Sequence, residues 1–465
     1  MTLTGPARNV GDFYRTLSNE PLLTKAEIDR YYEPAIGVVR SDQNLVEQLV
    51  LKLRQAFAAE RHFRVFVYGH SGGGKSTECT RLTLNLADRY QSVRLNVRTE
   101  LDPAGAKPLD FLLLMLMRLA EAAKVLDGWT PPDRLVTGVR DWFAEHETQR
   151  LATRSLEGQA SAGLGVDKKS MWAGLLGMFA QTRAELKLAS LVKSESTDHE
   201  LKRITSLVGV LNEFFDACNE HLGEQTPPRK WLLIAEDFEK LADRKIPEEI
   251  FVGQAGAIQQ LRIAAIFSIP PALAYSKQGS SLPFSAYCLH DTPVHDRDHQ
   301  PHAGGRDALR RMLAKRIDLQ RFAPDQVERI VVASGGSPRD MFDLADEAAT
   351  GALLAAPDAK PEDVVIRAED VKGAISRQRR QTYLQLGEDP YESEIVTTKQ
   401  KRERLTAIYR DHTQAGTPDP VLYSLLRGRL LREFNGDGWF GVPPLVVELL
   451  KELADLDTSA PGGLL

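Results

Sequence analysis

Three cysteines, Cys79, Cys218 and Cys288, are all that the 465-residue chain contains. Their odd number and wide spacing exclude a disulfide framework and fit a reducing compartment, so a cytoplasmic protein is expected. Long apolar runs are also missing. The strongest, Phe111 to Leu119, is broken by Arg118 and falls short of the roughly 20 residues that a membrane-spanning helix needs. No transmembrane segment is expected, and MTLTGPARNVGDFYRTLSNE has neither the basic stretch nor the apolar core of a secretory signal. Positive charge is not in excess. A formal net charge of -5 argues against a body built mainly to coat nucleic acid, because that affinity rests on clustered lysine and arginine. There is no internal repeat. What is present is an ordinary globular composition, 42% hydrophobic and 26% charged, in a chain longer than one core usually grows, so two or three domains are expected.

Residues 1 to 40 are polar and aromatic, and Asn44 to Ala59 spaces its apolar residues as a helix does. The apolar run Val65 to Tyr68 then meets a glycine cluster, and Ser76 to Asp88 reads as a helix. Val93 to Val97 alternates like a strand, Leu109 to Leu126 is an apolar-rich helix, and residues 128 to 200 read as an insertion outside the core sheet. Leu201 to Leu222 is a helix, whereas Trp231 to Ala235 and Arg262 to Ile269 are continuous apolar strands. Such strands alternating with helices predict an α/β core with a parallel sheet covered on both faces. After about residue 303 the pattern is helical: 307 to 318, 324 to 333, 337 to 354, then, past a linker at 355 to 362, helices near 369 to 385, 398 to 411 and 419 to 433. The sequence NGDG (435 to 438) reads as a hairpin turn before a last helix from Pro443, so a winged-helix-like module is expected at the end.

The motif Gly69-His70-Ser71-Gly72-Gly73-Gly74-Lys75-Ser76 matches GxxxxGK[ST] without deviation. Glycines let backbone N–H groups close around phosphates, Lys75 is the residue that reaches the β and γ phosphates, and Ser76 is the magnesium ligand. ATP with Mg2+ is therefore the expected cofactor pair, with GTP the less favoured nucleotide. The strand Trp231 to Ala235 ends in Glu236-Asp237, and paired carboxylates at a strand end suit one acid for the ion's shell (Glu236) and one for the attacking water (Asp237). Their other reading is the acidic start of a solvated loop or helix. Ser268 ends the next apolar strand and is a candidate to face both acids and the γ-phosphate. In Ser337-Pro338-Arg339-Asp340 a serine cap, a proline at the first helical position and an acid three residues after the cap specify a helix start. Arg339 then sits in a first turn where a cation is disfavoured without an anion nearby, which suits phosphate sensing. The segment CLHDTPVHDRDHQPH (288 to 302) holds four histidines and one cysteine, but its spacing matches no zinc pattern and it reads as a solvated loop. The basic clusters RQRR (377 to 380), KRER (401 to 404) and Arg427, Arg429 and Arg432 read as solvated helical faces before they read as a nucleic-acid surface.

Taken in order, GHSGGGKSTE, IAEDFEKL, RIAAIFSIPP, GGSPRD and NGDGWF resemble the AAA+ and STAND-type P-loop ATPases, nearest to their origin-recognition-like branch. The resemblance covers about residues 40 to 450, apart from 128 to 200. It implies Walker A contacts at Lys75, Ser76 and Thr77, Walker B acids at Glu236 and Asp237, a first sensor at Ser268 and a second sensor at Arg339. The family usually has Asp first in Walker B, where this chain has Glu236, which leaves the hydrolysis rate open. No arginine finger is assigned, although Arg262, Arg310, Arg311 and Arg316 lie in the plausible region. The implied architecture is an N-terminal segment (1 to 40), a P-loop α/β core (41 to 303), a helical lid (304 to 355) and a winged-helix-like domain (363 to 465). The implied function is an ATPase acting as a molecular switch on a protein partner, and the resemblance implies a homo-oligomer. A DNA loader or initiator using the C-terminal module, a low-turnover nucleotide-binding scaffold and a small-molecule P-loop kinase are the alternatives.

Overall fold

A computed structural model of the chain describes residues 5–40, 44–126, 128–145, 168–187, 197–241, 245–389, 392, 394–411, 415, 418–434 and 439–464. These residues form two compact bodies. One comprises Met1–Leu49, Tyr68–Leu84 and Cys288–Leu465, and the other Val50–Val67 and Asn85–Tyr287.

The second body is built on a five-stranded sheet of β1 (Arg64–Tyr68), β2 (Tyr90–Asn96), β3 (Lys230–Glu236), β4 (Ala264–Ile269) and β5 (Ala286–Cys288), in the order β2-β3-β4-β1-β5. The pairs β2-β3 and β3-β4 are parallel, with Asn96 opposite Glu236 and Ala235 opposite Phe267. Every residue of β4 is buried, as are six of the seven in β3, which is why both strands read as unbroken apolar runs. Phe66 lies 5.0 Å from Phe251 and 5.8 Å from Phe267 between ring centroids, and burying each such ring contributes about 2–3 kcal/mol. The helix Pro108–Ala123 is buried along most of its length. It packs on β2 and on the helices Lys168–Leu186 and Thr197–Gly223. The described part of 128 to 200 holds the helices Asp133–Glu145 and Lys168–Leu186 and the start of Thr197–Gly223, and gives no strand to the sheet. The glycine-rich GQASAGLG lies outside the described residues.

The first body is mainly helical. The N-terminal segment is part of its core: Ala7, Val10, Phe13, Leu17 and Ile36 are buried with Leu309, Leu313, Met341, Leu344 and Ala348. A capping box of Thr24 and Glu27 starts the helix Lys25–Tyr31. The helix Pro338–Ala355 begins as its sequence predicts, with the Ser337 side chain accepting from the Asp340 N–H and Pro338 in the first turn. The sequence also predicts a helix over 419 to 433, but the structure ends it at Arg427. Arg429 takes a left-handed φ of 56° and the Leu430 N–H returns to the Leu425 carbonyl at 3.0 Å, so the chain leaves the helix and enters β6 (Arg432–Phe434). β6 pairs antiparallel with β7 (Trp439–Gly441), followed by the helix Pro444–Glu452. The NGDG turn lies outside the described residues.

Candidate nucleotide site

The P-loop runs from the end of β1 into the helix Lys75–Asn85, which is the strand, loop and helix context that the motif requires. Lys75 is buried, and its Nζ donates to the Gly69 carbonyl at 2.8 Å and the His70 carbonyl at 3.2 Å. Gly72 has φ +90°, and a Cβ there would lie 3.0 Å from the Arg339 Cβ and 3.1 Å from the Ser337 Oγ. Glycine is needed at that point both for the backbone angle and for the space. Gly73 donates its N–H to the His70 carbonyl at 3.2 Å, and Gly74 has φ +98°. His70 is buried and its imidazole is pushed down to about 4, chiefly by burial, which keeps it neutral at pH 7.

Arg339, singled out from its place in a helix first turn, reaches the loop: its Nη1 donates to the Ser71 Oγ at 2.9 Å. Behind it stands an ion-pair group that composition did not reveal. Asp340 accepts from Arg432 Nη2 at 2.9 Å and from Arg429 Nη1 at 3.3 Å, and Arg432 Nη1 lies 3.5 Å from Asp291 Oδ1. Arg432 and Asp291 are almost fully buried. Burial works against the Arg432 charge, but Asp291 and Asp340 more than offset it and raise its pKa. Gly336, at φ +91°, lets the backbone approach Thr292, whose carbonyl would lie 1.8 Å from an added Cβ.

The N-terminal segment supplies further groups. Arg40 is buried and its Nε donates to the Thr292 Oγ1 at 3.0 Å. Its Nη2 meets no hydrogen-bond acceptor among the described residues, and its Nη1 lies 4.0 Å from the position of a Cβ on Gly74. The Leu22 N–H donates to the Thr77 Oγ1 at 3.2 Å. Tyr32 donates to Glu78 at 3.0 Å, and Arg81 lies over its ring. Arg40 and Tyr32 carried no sequence signal, since neither belongs to a motif and the intervening chain hides their proximity. An ammonium, two guanidinium groups and a turn of glycines fit a polyphosphate, and the Ser76 hydroxyl at the helix start fits its metal ion.

The strand-end acids belong to the second body. Glu236 is buried at the end of β3, with Arg94 at 3.7 Å. Asp237 is left-handed at φ 72°. Its carboxylate accepts from Asn96 Nδ2 at 2.7 Å and pairs with Lys240 Nζ at 2.6 Å. Ser268 is buried and its Oγ accepts the Asp237 N–H at 3.0 Å while lying 3.4 Å from Glu239 Oε2. Ser268 thus brackets the second acid through the backbone, and Asn96, which sequence reasoning missed, orients its carboxylate. Among the arginine-finger candidates, Arg316 is packed between the rings of Tyr31 and Phe342, its pKa lowered to about 10 by burial. Arg310 and Arg311 pair with Asp307, and Arg262 with Asp216.

No family model matches the chain, and no curated protein matches it. Among solved structures, it is similar to the Orc1 protein of Aeropyrum pernix in complex with DNA, at 12% identity and a TM-score of 0.38 over 91% of this chain and 96% of that one. It is also similar to a Walker-type ATPase of Pyrococcus abyssi, at 12% identity and a TM-score of 0.35 over 94% and 99% of the two chains. The RuvB Holliday junction branch migration motor of Thermotoga maritima is similar at 12% identity and a TM-score of 0.37 over 94% and 99%. At this level the likeness carries no conclusion about activity.

Proposed function

We propose that the chain is an ATP-binding, magnesium-dependent ATPase of AAA+/STAND type that works as a molecular switch. The observation that carries the reading is the contact of Arg339 with the P-loop at Ser71. It sets a guanidinium from the start of the helix Pro338–Ala355 beside the loop that holds phosphates in proteins with this motif. Lys75 and the N–H groups of 69 to 77 bind the phosphates, Ser76 ligates magnesium, and Arg339 leaves Ser71 for the γ-phosphate when ATP is present. Magnesium supplies charge neutralisation on the phosphates. On the sequence reading, Glu236 serves the ion's shell and Asp237 the water, with Ser268 fixing the backbone of the latter.

The domain limits 41 to 303, 304 to 355 and 363 to 465, the winged-helix-like module, a protein partner and a homo-oligomer are parts of the same proposal. The β6-β7 hairpin between helices supports the module. Nucleic acid is the less favoured partner, because Arg402, Arg404 and Arg427 of the basic clusters are paired with Asp455, Asp419 and Glu392. No helix among the described residues is long and apolar enough to cross a membrane.

Binding of a fluorescent ATP analogue and release of phosphate, each with and without magnesium, test the reading. Lys75→Ala is expected to abolish binding and Asp237→Asn to keep binding while slowing release. Nucleotide affinity that survives Lys75→Ala would sink the site assignment.

A further inference from the structure

The segment after β5, whose spacing predicts a solvated loop, is buried at its start: Leu289, Asp291, Thr292 and Val294 are all in the interior. Cys288 closes β5, His290 follows two residues later, and Glu433 comes from the middle of β6. The Asp291 N–H donates to the Glu433 carbonyl at 3.0 Å, which holds the segment after Cys288 against β6. The Cys288 Sγ lies 3.2 Å from one Glu433 oxygen and the His290 Nε2 3.7 Å from the other. All three ligand atoms fall within 4.8 Å of one another. The His290 and Glu433 side chains are only 10% and 7% exposed.

We infer that Cys288, His290 and Glu433 form a zinc site that ties the segment opening at Cys288 to β6 within the first body. A thiolate, an imidazole and a carboxylate are the borderline-soft set that zinc takes and that magnesium does not. Around a tetrahedral zinc with ordinary bond lengths, sulfur–oxygen and nitrogen–oxygen separations are roughly 3.4–3.6 Å. The 3.2 and 3.7 Å separations here run to the two oxygens of the Glu433 carboxylate, and all three ligand atoms fall within 4.8 Å, so the thiol and the ring draw together around the ion as it binds. Binding converts Cys288–SH and Zn2+ to a zinc thiolate and one proton released to solvent. Burial and the neighbouring Glu433 hold the thiol protonated without a metal, and a dication removes the cause of the second effect. Three protein ligands leave a fourth position for water. Because the ligands come from the segment that opens at Cys288 and from β6, the ion acts as a clamp on the C-terminal hairpin, and none of its ligands is the Ser76 proposed for magnesium.

Full-length protein stripped with chelator and titrated with Co2+ is expected to develop a sulfur-to-cobalt charge-transfer band at one equivalent, and zinc is expected to displace the cobalt. Cys288→Ser should remove the band. His290→Ala should weaken zinc binding by at least about a hundredfold, the upper end of what loss of a supporting group costs. Cys79→Ser and Cys218→Ser should leave the band in place. Circular dichroism of each variant checks that it is folded, and Glu433→Gln, which keeps shape and volume, should retain the band with weakened affinity. Absence of a thiolate band in the wild type overturns the inference. So does a band that persists in Cys288→Ser.

Discussion

Replacing Arg432 with methionine tests whether the buried ion-pair group organises the P-loop's surroundings. Arg432 is 4% exposed in its side chain, Asp291 1% and Asp340 9%. Methionine keeps the apolar stem and removes the charge, leaving Asp291 buried and Asp340 with Arg429 at 3.3 Å. Breaking a buried pair from one side costs about 3–5 kcal/mol, because the partner is left charged in the interior. Asp340 lies in the first turn of the helix that carries Arg339, so the opening should be felt there. Amide hydrogen exchange at Asp340 and Met341 reads it directly. A loss of 3–5 kcal/mol corresponds to exchange faster by roughly a hundred- to several-thousand-fold. The triple variant Arg432→Met, Asp291→Asn, Asp340→Asn removes all three charges and should recover most of the protection, since neutral replacement of a buried ion group is often tolerated. Acceleration below about fivefold in the single variant, equal to about 1 kcal/mol, would refute the idea that this group holds the helix start.

Gly72→Ala should weaken nucleotide binding at least about tenfold, from about 1–2 kcal/mol of backbone strain plus the close approach to Arg339 and Ser337; titration with the fluorescent analogue checks it, and unchanged affinity would mean that the loop does not need this shape. Arg339→Ala should bind ADP nearly as the wild type does, while its preference for ATP shrinks by about 1.5–3 kcal/mol; competition of ATP against ADP measures this, and full discrimination would end the switch reading. Burial pushes the His70 imidazole down to about 4 from the ordinary 6.5, so its stabilising contribution is whole above the unfolded value and is lost as pH falls toward the folded one. Between pH 7 and pH 5 that loss is on the order of 2 kcal/mol. Urea denaturation at both pH values should therefore show a smaller drop in His70→Gln, and equal drops in the two proteins would contradict it.

The strands and the helix starts were legible in the sequence because each is encoded locally. The runs WLLIA and AAIFSI declare buried parallel strands, and Ser337-Pro338 declares a helix cap. Arg339 was legible for a related reason, as a cation against a helix dipole. Arg40, Asp291 and Arg432 were not, since what defines them is burial beside one another. Arg40 and Thr292 lie 252 positions apart and Asp340 and Arg432 lie 92 apart, and no periodicity reports such a pairing. The helix predicted over 419 to 433 runs too far because apolar spacing continues past Arg427; Gly428, the residue that caps it, is the local stop signal. Asn96 escaped notice because its partner, Asp237, follows 141 residues later.

The body that holds the P-loop is drawn from three separate stretches, Met1–Leu49, Tyr68–Leu84 and Cys288–Leu465, and this orders events during synthesis. Residues 85 to 287 can collapse as soon as they leave the ribosome, since the sheet strands β2, β3 and β4 and the helices between them are consecutive in the chain. The GHSGGGKS loop emerges early but acquires Arg339, Asp340 and Arg432 only after some 260 to 360 further residues have been made. Its closing contacts are among the longest-range in the molecule, and such contacts form slowly. A nascent chain therefore carries its phosphate-binding loop unfinished for most of translation, and truncation anywhere before β6 leaves it so.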